Sequence, residues 1–309
     1  MSARPGSGTV AEARAGRLLL APALVAIALF FAIPVAAGLV LSFTDFDIYA
    51  VADLGNARFV GFANYAGLVA DPLFWTALRN TLVLVGLGLP STLAVALAGA
   101  LLVHSRLARF RGLYRTIFFA PVVTTLVAVA IVWRYLYHPR YGLLDHMLAA
   151  VGLPEIDWLG DPRWALPAIA LLSVWRNFGY ALVILVAGLG AIPVSLYEAA
   201  RLDGASAWQQ FRHVTLPGLR PTLLFVSVLT TVGLFQSFAE PYVMTRGGPL
   251  NATTTIALLM YQQGFRWWNM GRAAAIAFIL FGLVLALSLL QSAAARSSRA
   301  GDAPRGGAR

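Results

Sequence analysis

Between residues 18 and 43 the chain reads LLLAPALVAIALFFAIPVAAGLVLSF, without one charged side chain. A hydrocarbon core about 30 Å thick takes roughly 20 apolar residues of helix at about 1.5 Å each, so this run is long enough to cross a bilayer. It is too long for a signal peptide, and no small-residue cleavage pattern follows before Thr44 and Asp45. Five more such runs stand between charged punctuation: Leu78 to Val103, interrupted by Pro90; Ile117 to Tyr137; Ala165 to Leu189; Leu223 to Tyr242; and Ala273 to Leu290. None alternates apolar and polar residues as a barrel strand does, and a lipid-exposed span must satisfy its backbone internally. The expected fold class is all-α, a polytopic membrane protein with six transmembrane helices. The membrane domain covers 17–292, between a tail at 1–16 and a disordered tail at 293–309, both poor in large apolar groups.

Composition narrows the function. With 59% hydrophobic and 12% charged residues, most of the chain cannot face water. All 23 Lys and Arg residues are Arg, so the lysine of a G-x-x-x-x-G-K-[ST] phosphate loop is missing and ATP is not gripped that way. The absence of Cys excludes disulfides, thiolate metal sites and a thiol nucleophile. The four His are scattered without an i, i+4 partner, so no metal site is expected. Paired carboxylates, a G-x-S-x-G elbow and an H-E-x-x-H helix are all missing, which speaks against a membrane enzyme.

The charges follow topology. Arg4, Arg14 and Arg17 precede the first span; Arg106, Arg109, Arg111 and Arg115 fill the second loop; Arg201, Arg212 and Arg220 lie in the fourth; Arg296, Arg299, Arg305 and Arg309 follow the sixth. The acids Asp45, Asp47, Asp53, Asp71, Asp145, Glu155, Asp157 and Asp161 fall in the first and third loops. The positive-inside rule then places both termini on the cytoplasmic side of the membrane. It also accounts for the net charge of +10 without nucleic acid.

The fourth loop, within 190–221, carries the most information: IPVSLYEAARLDGASAWQQFRHVTLPGLRP from Ile192 to Pro221. Ser195 with Glu198, and Ser206 with Gln209, have capping-box spacing, and Gly204 can adopt the positive φ that ends a helix. Two short helices bent at Gly204 are predicted, with Pro217 and Pro221 preceding the fifth span. On pattern alone the segment reads equally as an interfacial helix with Leu196, Trp208 and Phe211 on lipid.

The segment closely resembles the cytoplasmic signature loop of binding-protein-dependent ABC importer permeases: E-A-A, three residues, Gly, nine residues, Ile-x-Leu-Pro. Glu198, Ala199, Ala200, Gly204, Leu216 and Pro217 occupy its places, with Asp203 and Ala205 beside the glycine and Val214 standing for the Ile. LSFTDFD (Leu41 to Asp47), FVGFANYAGLVADPLFWTALRNT (Phe59 to Thr81), FRGLYRTIFFAPVV (Phe110 to Val123), WRYLYHPRYGLLD (Trp133 to Asp145) and TRGGPLNATTT (Thr245 to Thr255) look like the subfamily importing sugars and glycerol-phosphate-type solutes. In the last block the family more often has Gly where this chain has Arg246. The resemblance implies an ABC type I importer permease fold and the first of two sister permeases. It further implies two ATP-binding cassette subunits holding ATP and Mg, an extracytoplasmic solute-binding protein, and no cofactor on this chain. The 195–217 loop would then be the coupling segment.

A sugar offers hydroxyls and apolar ring faces, so its path needs amide, carboxylate or hydroxyl groups beside aromatics. Phe235, Gln236, Ser237, Phe238, Glu240 and Tyr242 at the end of the fifth span, with Trp175, Arg176, Asn177 and Tyr180 in the fourth, supply that mixture. Arg176 also reads as a structural ion pair or a bond to a broken-helix carbonyl, and Glu240 as a cap before Pro241. Trp158, Trp164, Trp267 and Trp268 read as interface anchors. An ion-coupled secondary transporter is the alternative, but it needs ionisable relays in several spans, and only Arg176 and Glu240 qualify.

Overall fold

Proline and hydroxyl side chains decide where the apolar runs bend. The computed structural model describes residues 8–104 and 111–301. Arg4, Arg106, Arg109, Phe110, Arg305 and Arg309 lie outside them. One compact unit holds the chain up to residue 68 together with 262–278. Helix α1 (Gly8–Ile27) passes through a π turn, Ala28–Ala32, into α2 (Ile33–Leu41). Pro34 has no N–H for the carbonyl four residues back, and the π turn takes up the mismatch. Asp47 then caps α3 (Ile48–Ala52), its Oδ1 accepting from the amides of Tyr49 and Ala50 at 2.9 and 3.1 Å. Asn64, in α4 (Ala63–Val69), donates to the carbonyls of Ser42 and Thr44 at 2.9 and 2.8 Å, so two of the family-like blocks fold into one knot. Gly271 completes it, because a Cβ there would strike the Thr44 carbonyl.

The second unit, 69–261 with the chain from 279 onward, contains α5 (Pro72–His104), α6 (Arg111–Val123), α7 (Leu126–Leu136), α8 (Leu143–Ala150), α9 (Ala165–Gly190) and α10 (Val194–Leu202). It continues through α11 (Ala207–Gln210), α12 (Leu216–Phe235), α13 (Ala239–Met244) and α14 (Ile256–Tyr261), and α15 (Met270–Gly301) enters it from residue 279. Helices α5, α9 and α12 pack on one another, with α6 against α9. Their core is built from Ala96, Ala100, Leu182, Leu185, Leu189 and Leu219. Small residues set the spacing, as expected where lipid removes the hydrophobic drive between helices. A Cβ on Gly179 would collide with the Phe118 carbonyl, and one on Gly188 would lie 2.6 Å from Thr222 Oγ1.

Among the described residues, five helices are long and apolar enough to cross a membrane: 15–41, 72–104, 165–190, 207–244 and 270–294. The expected third span is not one helix. Residues 112–123 and 126–136 meet at 97°, because Thr124 Oγ1 takes the Pro121 carbonyl at 2.6 Å and Thr125 turns to ψ 130°. The fifth is also broken, between Phe235 and Ala239, and its helical path starts far earlier, at Ala207. Pro217 therefore stands in the first turn of α12 and Pro221 inside it, rather than before it; a π turn at Phe211–Thr215 precedes Pro217 as another precedes Pro34. The helical ladder also runs into both expected tails, from Gly8 and to Gly301. Trp158 is half-buried: it donates Nε1 to Asp145 Oδ1 at 3.2 Å and packs on Tyr137.

Candidate functional site

The fourth connection begins with Ile192 and Pro193. Pro193 at φ −58° and ψ 130° starts α10 at Val194, so Ser195 already has helical backbone and the expected Ser195–Glu198 capping box does not form. The second box does form: Ser206 Oγ accepts from the Gln209 amide at 3.3 Å, and Gln209 Oε1 from the Ser206 amide at 2.7 Å. Between them Gly204 adopts φ +74°. The Ala205 amide reaches the Ala200 carbonyl at 2.9 Å and the Gly204 amide the Arg201 carbonyl at 3.0 Å, the paired bonds of a Schellman end. Glu198, Ala199 and Asp203 are exposed, Ala200 and Ala205 half-buried, and Leu202 is 91% exposed at the tip.

The other side of α10 is tied down. Tyr197 packs against the core of α5, α9 and α12, and its hydroxyl pairs with the buried Thr215 Oγ1 at 3.0 Å. Leu216 and Pro217 open α12, and Gly218 beside them leaves room for Ile192, whose Cδ1 stands 2.9 Å from where a Cβ would be. Tyr197, Thr215 and Gly218 are absent from the residues singled out in the sequence. Their only signal is placement on the core-facing side of a loop whose helical register is unknown before the Pro193 start is seen.

Where α12 stops, a cavity of about 440 Å³ opens between α6, α7, α9, α12 and α13. Arg176, Asn177, Gln236, Ser237 and Glu240 give it polar groups; Val122, Leu126, Ile184, Leu229 and Phe238 give it apolar ones. Gln236 ends α12 at φ −90° and ψ 8°, exposing its amide to the cavity. Glu240 is only 6% exposed, and its Oε2 accepts from Ser237 Oγ at 3.0 Å. Arg176 keeps a buried Nε without a hydrogen-bond partner among the described residues, so neither the ion pair nor the carbonyl bond weighed for it engages that atom. Asn177 spends its amide N–H on Ser173 O at 2.8 Å. Two residues expected on the pathway, Phe235 and Tyr242, do not line this cavity. The break at Gln236 turns Phe235 into the core, 1% exposed, and Tyr242 stacks on Phe238 at 5.2 Å and meets Tyr261 edge-on at 5.3 Å.

The sequence from 91 to 299 matches the family described as binding-protein-dependent transport system inner membrane component. The chain belongs to this family. It is 35% identical over 277 residues, 89% of this chain and 93% of the relative, to a probable ABC transporter permease, YurN, of Bacillus subtilis. It is 35% identical over 289 residues to the lactose transport permease LacF of Rhizobium radiobacter, covering 92% and 95% of the two chains. To the trehalose/maltose transport permease MalF of Thermococcus litoralis it is 33% identical over 282 residues, 90% and 92% of the two. A solved bacterial ABC transporter involved in the import of the acidic polysaccharide alginate superposes with a TM-score of 0.79 over 94% of this chain and 98% of that one, at 23% identity. This last likeness shows the type I importer fold alone. The permease is thus a multi-pass transport subunit and not an enzyme, and the ion-coupled alternative is set aside.

Proposed function

We propose that this permease is one of two sister membrane subunits of an ATP-driven importer for a sugar or related polar solute. In that assembly α10 docks on a partner ATPase, which binds ATP and Mg, and the cavity at the end of α12 is the solute's path. An extracytoplasmic solute-binding protein delivers the solute to the face opposite α10. The arginine distribution supports cytoplasmic termini and a cytoplasmic α10. The relatives named for lactose and for trehalose/maltose support a carbohydrate cargo. A cavity of about 440 Å³ falls within the roughly 300–1,000 Å³ of small-ligand sites, and amides and a carboxylate beside an aromatic ring suit a polyhydroxylated solute.

One observation carries the reading. From Ala207 to Phe235 the chain follows one helical path, α-helical except for the π turn at Phe211–Thr215, and it joins the exposed coupling segment to the cavity wall. At about 1.5 Å per residue this rod is long enough to span the membrane, so a push on α10 reaches the cavity as rigid-body movement. The test uses proteoliposomes carrying the permease with its sister, ATPase and binding protein, supplied with lactose, maltose and trehalose. ATP-driven, ionophore-resistant uptake of at least one sugar is expected, lowered at least about tenfold by Gln236→Ala and by Glu240→Gln. A single cysteine replacing Leu202 should cross-link to the ATPase. Uptake indifferent to both cavity variants would overturn the path, and failure to capture the ATPase would overturn the docking.

A further inference from the structure

The fifth span breaks between Phe235 and Ala239, and Ser237 within the break is buried. In an uninterrupted helix the Ser237 carbonyl would accept from the amide of residue 241. That residue is Pro241, which has no N–H. Ser237 is buried, and a buried carbonyl left without a partner costs about as much as a lost hydrogen bond.

The missing donor comes from another segment. Thr255, fully buried, donates Oγ1–H to the Ser237 carbonyl at 2.8 Å. The same oxygen accepts from the Leu258 amide at 3.2 Å and so caps the start of α14. One hydroxyl therefore closes two interruptions of the helical ladder. Thr255 is itself pinned: the next amide, Ile256 N, donates to Thr81 Oγ1 of α5 at 2.9 Å, and Thr81 donates to the Ala77 carbonyl at 2.8 Å. On the other side of the break, Ser237 Oγ holds the Glu240 carboxylate at the cavity. The chain of contacts runs from Thr81 of α5 through Ile256, Thr255 and Ser237 to Glu240, and of these Ser237 and Glu240 line the cavity while Thr255 stands behind them.

We infer that Thr255 is a positioning residue of the permease: its hydroxyl satisfies the buried Ser237 carbonyl at the break and thereby fixes the Ser237–Glu240 pair at the cavity wall. The transport role of this contact rests on the cavity being the solute's path, as proposed above.

The natural chain contains no cysteine, so a single Ala239→Cys substitution at the cavity wall gives a clean reporter. The rate of its modification by a water-soluble maleimide is measured in the complete reconstituted importer. Thr255→Val, which keeps the shape and removes the hydroxyl, should change that rate about tenfold, whereas Thr255→Ser should leave it within about twofold. A role confined to capping α14 would leave labelling at position 239 unchanged, because the capped Leu258 amide is not on the cavity wall. Should Thr255→Val fail to assemble, Thr255→Ala, which is smaller and equally lacks the hydroxyl, is labelled in its place, and a rate within about twofold of the parent overturns the inference. An unchanged labelling rate in Thr255→Val overturns it as well. Uptake by the same vesicles should fall at least about tenfold in Thr255→Val. Labelling that responds while uptake does not would sink the cavity as the solute's path, and with it the transport role of Thr255, while leaving the local contact standing.

Discussion

Replacing Gly204 by valine isolates the backbone contribution to coupling. A Cβ at this position meets nothing within 4 Å, so the substitution creates no collision and its whole cost is torsional. At φ +74° an L-residue with a side chain pays roughly 1–2 kcal/mol, and a β-branched one sits at the upper end. What opposes that strain is the pair of Schellman bonds at 2.9 and 3.0 Å, each contributing about 0.5–1.5 kcal/mol. The two quantities are of the same size, so the turn after α10 opens in a large fraction of molecules instead of holding one geometry. Insertion, expression and basal ATPase activity of the assembled importer should be normal. ATP-driven uptake per ATP hydrolysed should fall at least about tenfold, since about 1.4 kcal/mol is a tenfold change in population. Gly204→Asn provides the control, because asparagine tolerates the left-handed region and should keep coupling within about twofold. Native uptake per ATP in the valine variant would show that the bend at Gly204 plays no mechanical part.

Three other outcomes follow from single contacts. Arg246 holds φ 54°, so Arg246→Gly should relieve about 1 kcal/mol and raise the thermal midpoint of the purified permease by about 2–4 °C, while Gly247→Ala, with a Cβ 2.5 Å from Thr254 Oγ1, should lower it. Asn80 Nδ2 donates to the carbonyls of Asn251 and Thr254 at 2.8 and 3.0 Å; Asn80→Ala should speed hydrogen exchange across 245–255 at least about tenfold without altering cross-linking from the coupling segment. Tyr197→Phe removes the 3.0 Å contact with Thr215, and a loss of about 1 kcal/mol should appear as faster exchange in α10 and lower uptake per ATP, with basal ATPase activity retained.

The spans were legible in the sequence because hydropathy over some twenty residues depends on no neighbour. The breaks were not, because each hangs on one or two hydrogen bonds. Ser195–Glu198 and Ser206–Gln209 have the same spacing, yet only the second forms a box. Ser206 keeps an extended backbone at ψ 164°, while Pro193 has already committed Ser195 to the helix. The glycine preference at position 246 was visible as a departure from the family pattern, and the left-handed backbone of Arg246 is its physical cause. For the cavity, sequence supplied Arg176, Gln236, Ser237 and Glu240 but could not say that the turn at Gln236 sends Phe235 inward and Tyr242 onto Tyr261. Side-chain direction changes within one residue at a break, and no periodicity survives to predict it.

The same breaks leave α12 able to carry, without deforming, the push proposed for α10. At its start Ile192 seats over Gly218, in its first half Thr222 seats over Gly188 of α9, and at its end Leu234 seats over Gly88 of α5 with Cδ1 at 3.0 Å from a Cβ position. Three notches along one rod fix its register: a slide along the axis must unseat all of them together, and close-packed interfaces give way between discrete arrangements, not by degrees. Beyond the rod the ladder is already interrupted, by the π turn at Phe211–Thr215 on one side and by Gln236–Phe238 on the other. Bending is therefore confined to the two places where the coupling segment and the cavity are attached, and the membrane-embedded length between them either moves as a body or stays in its seat.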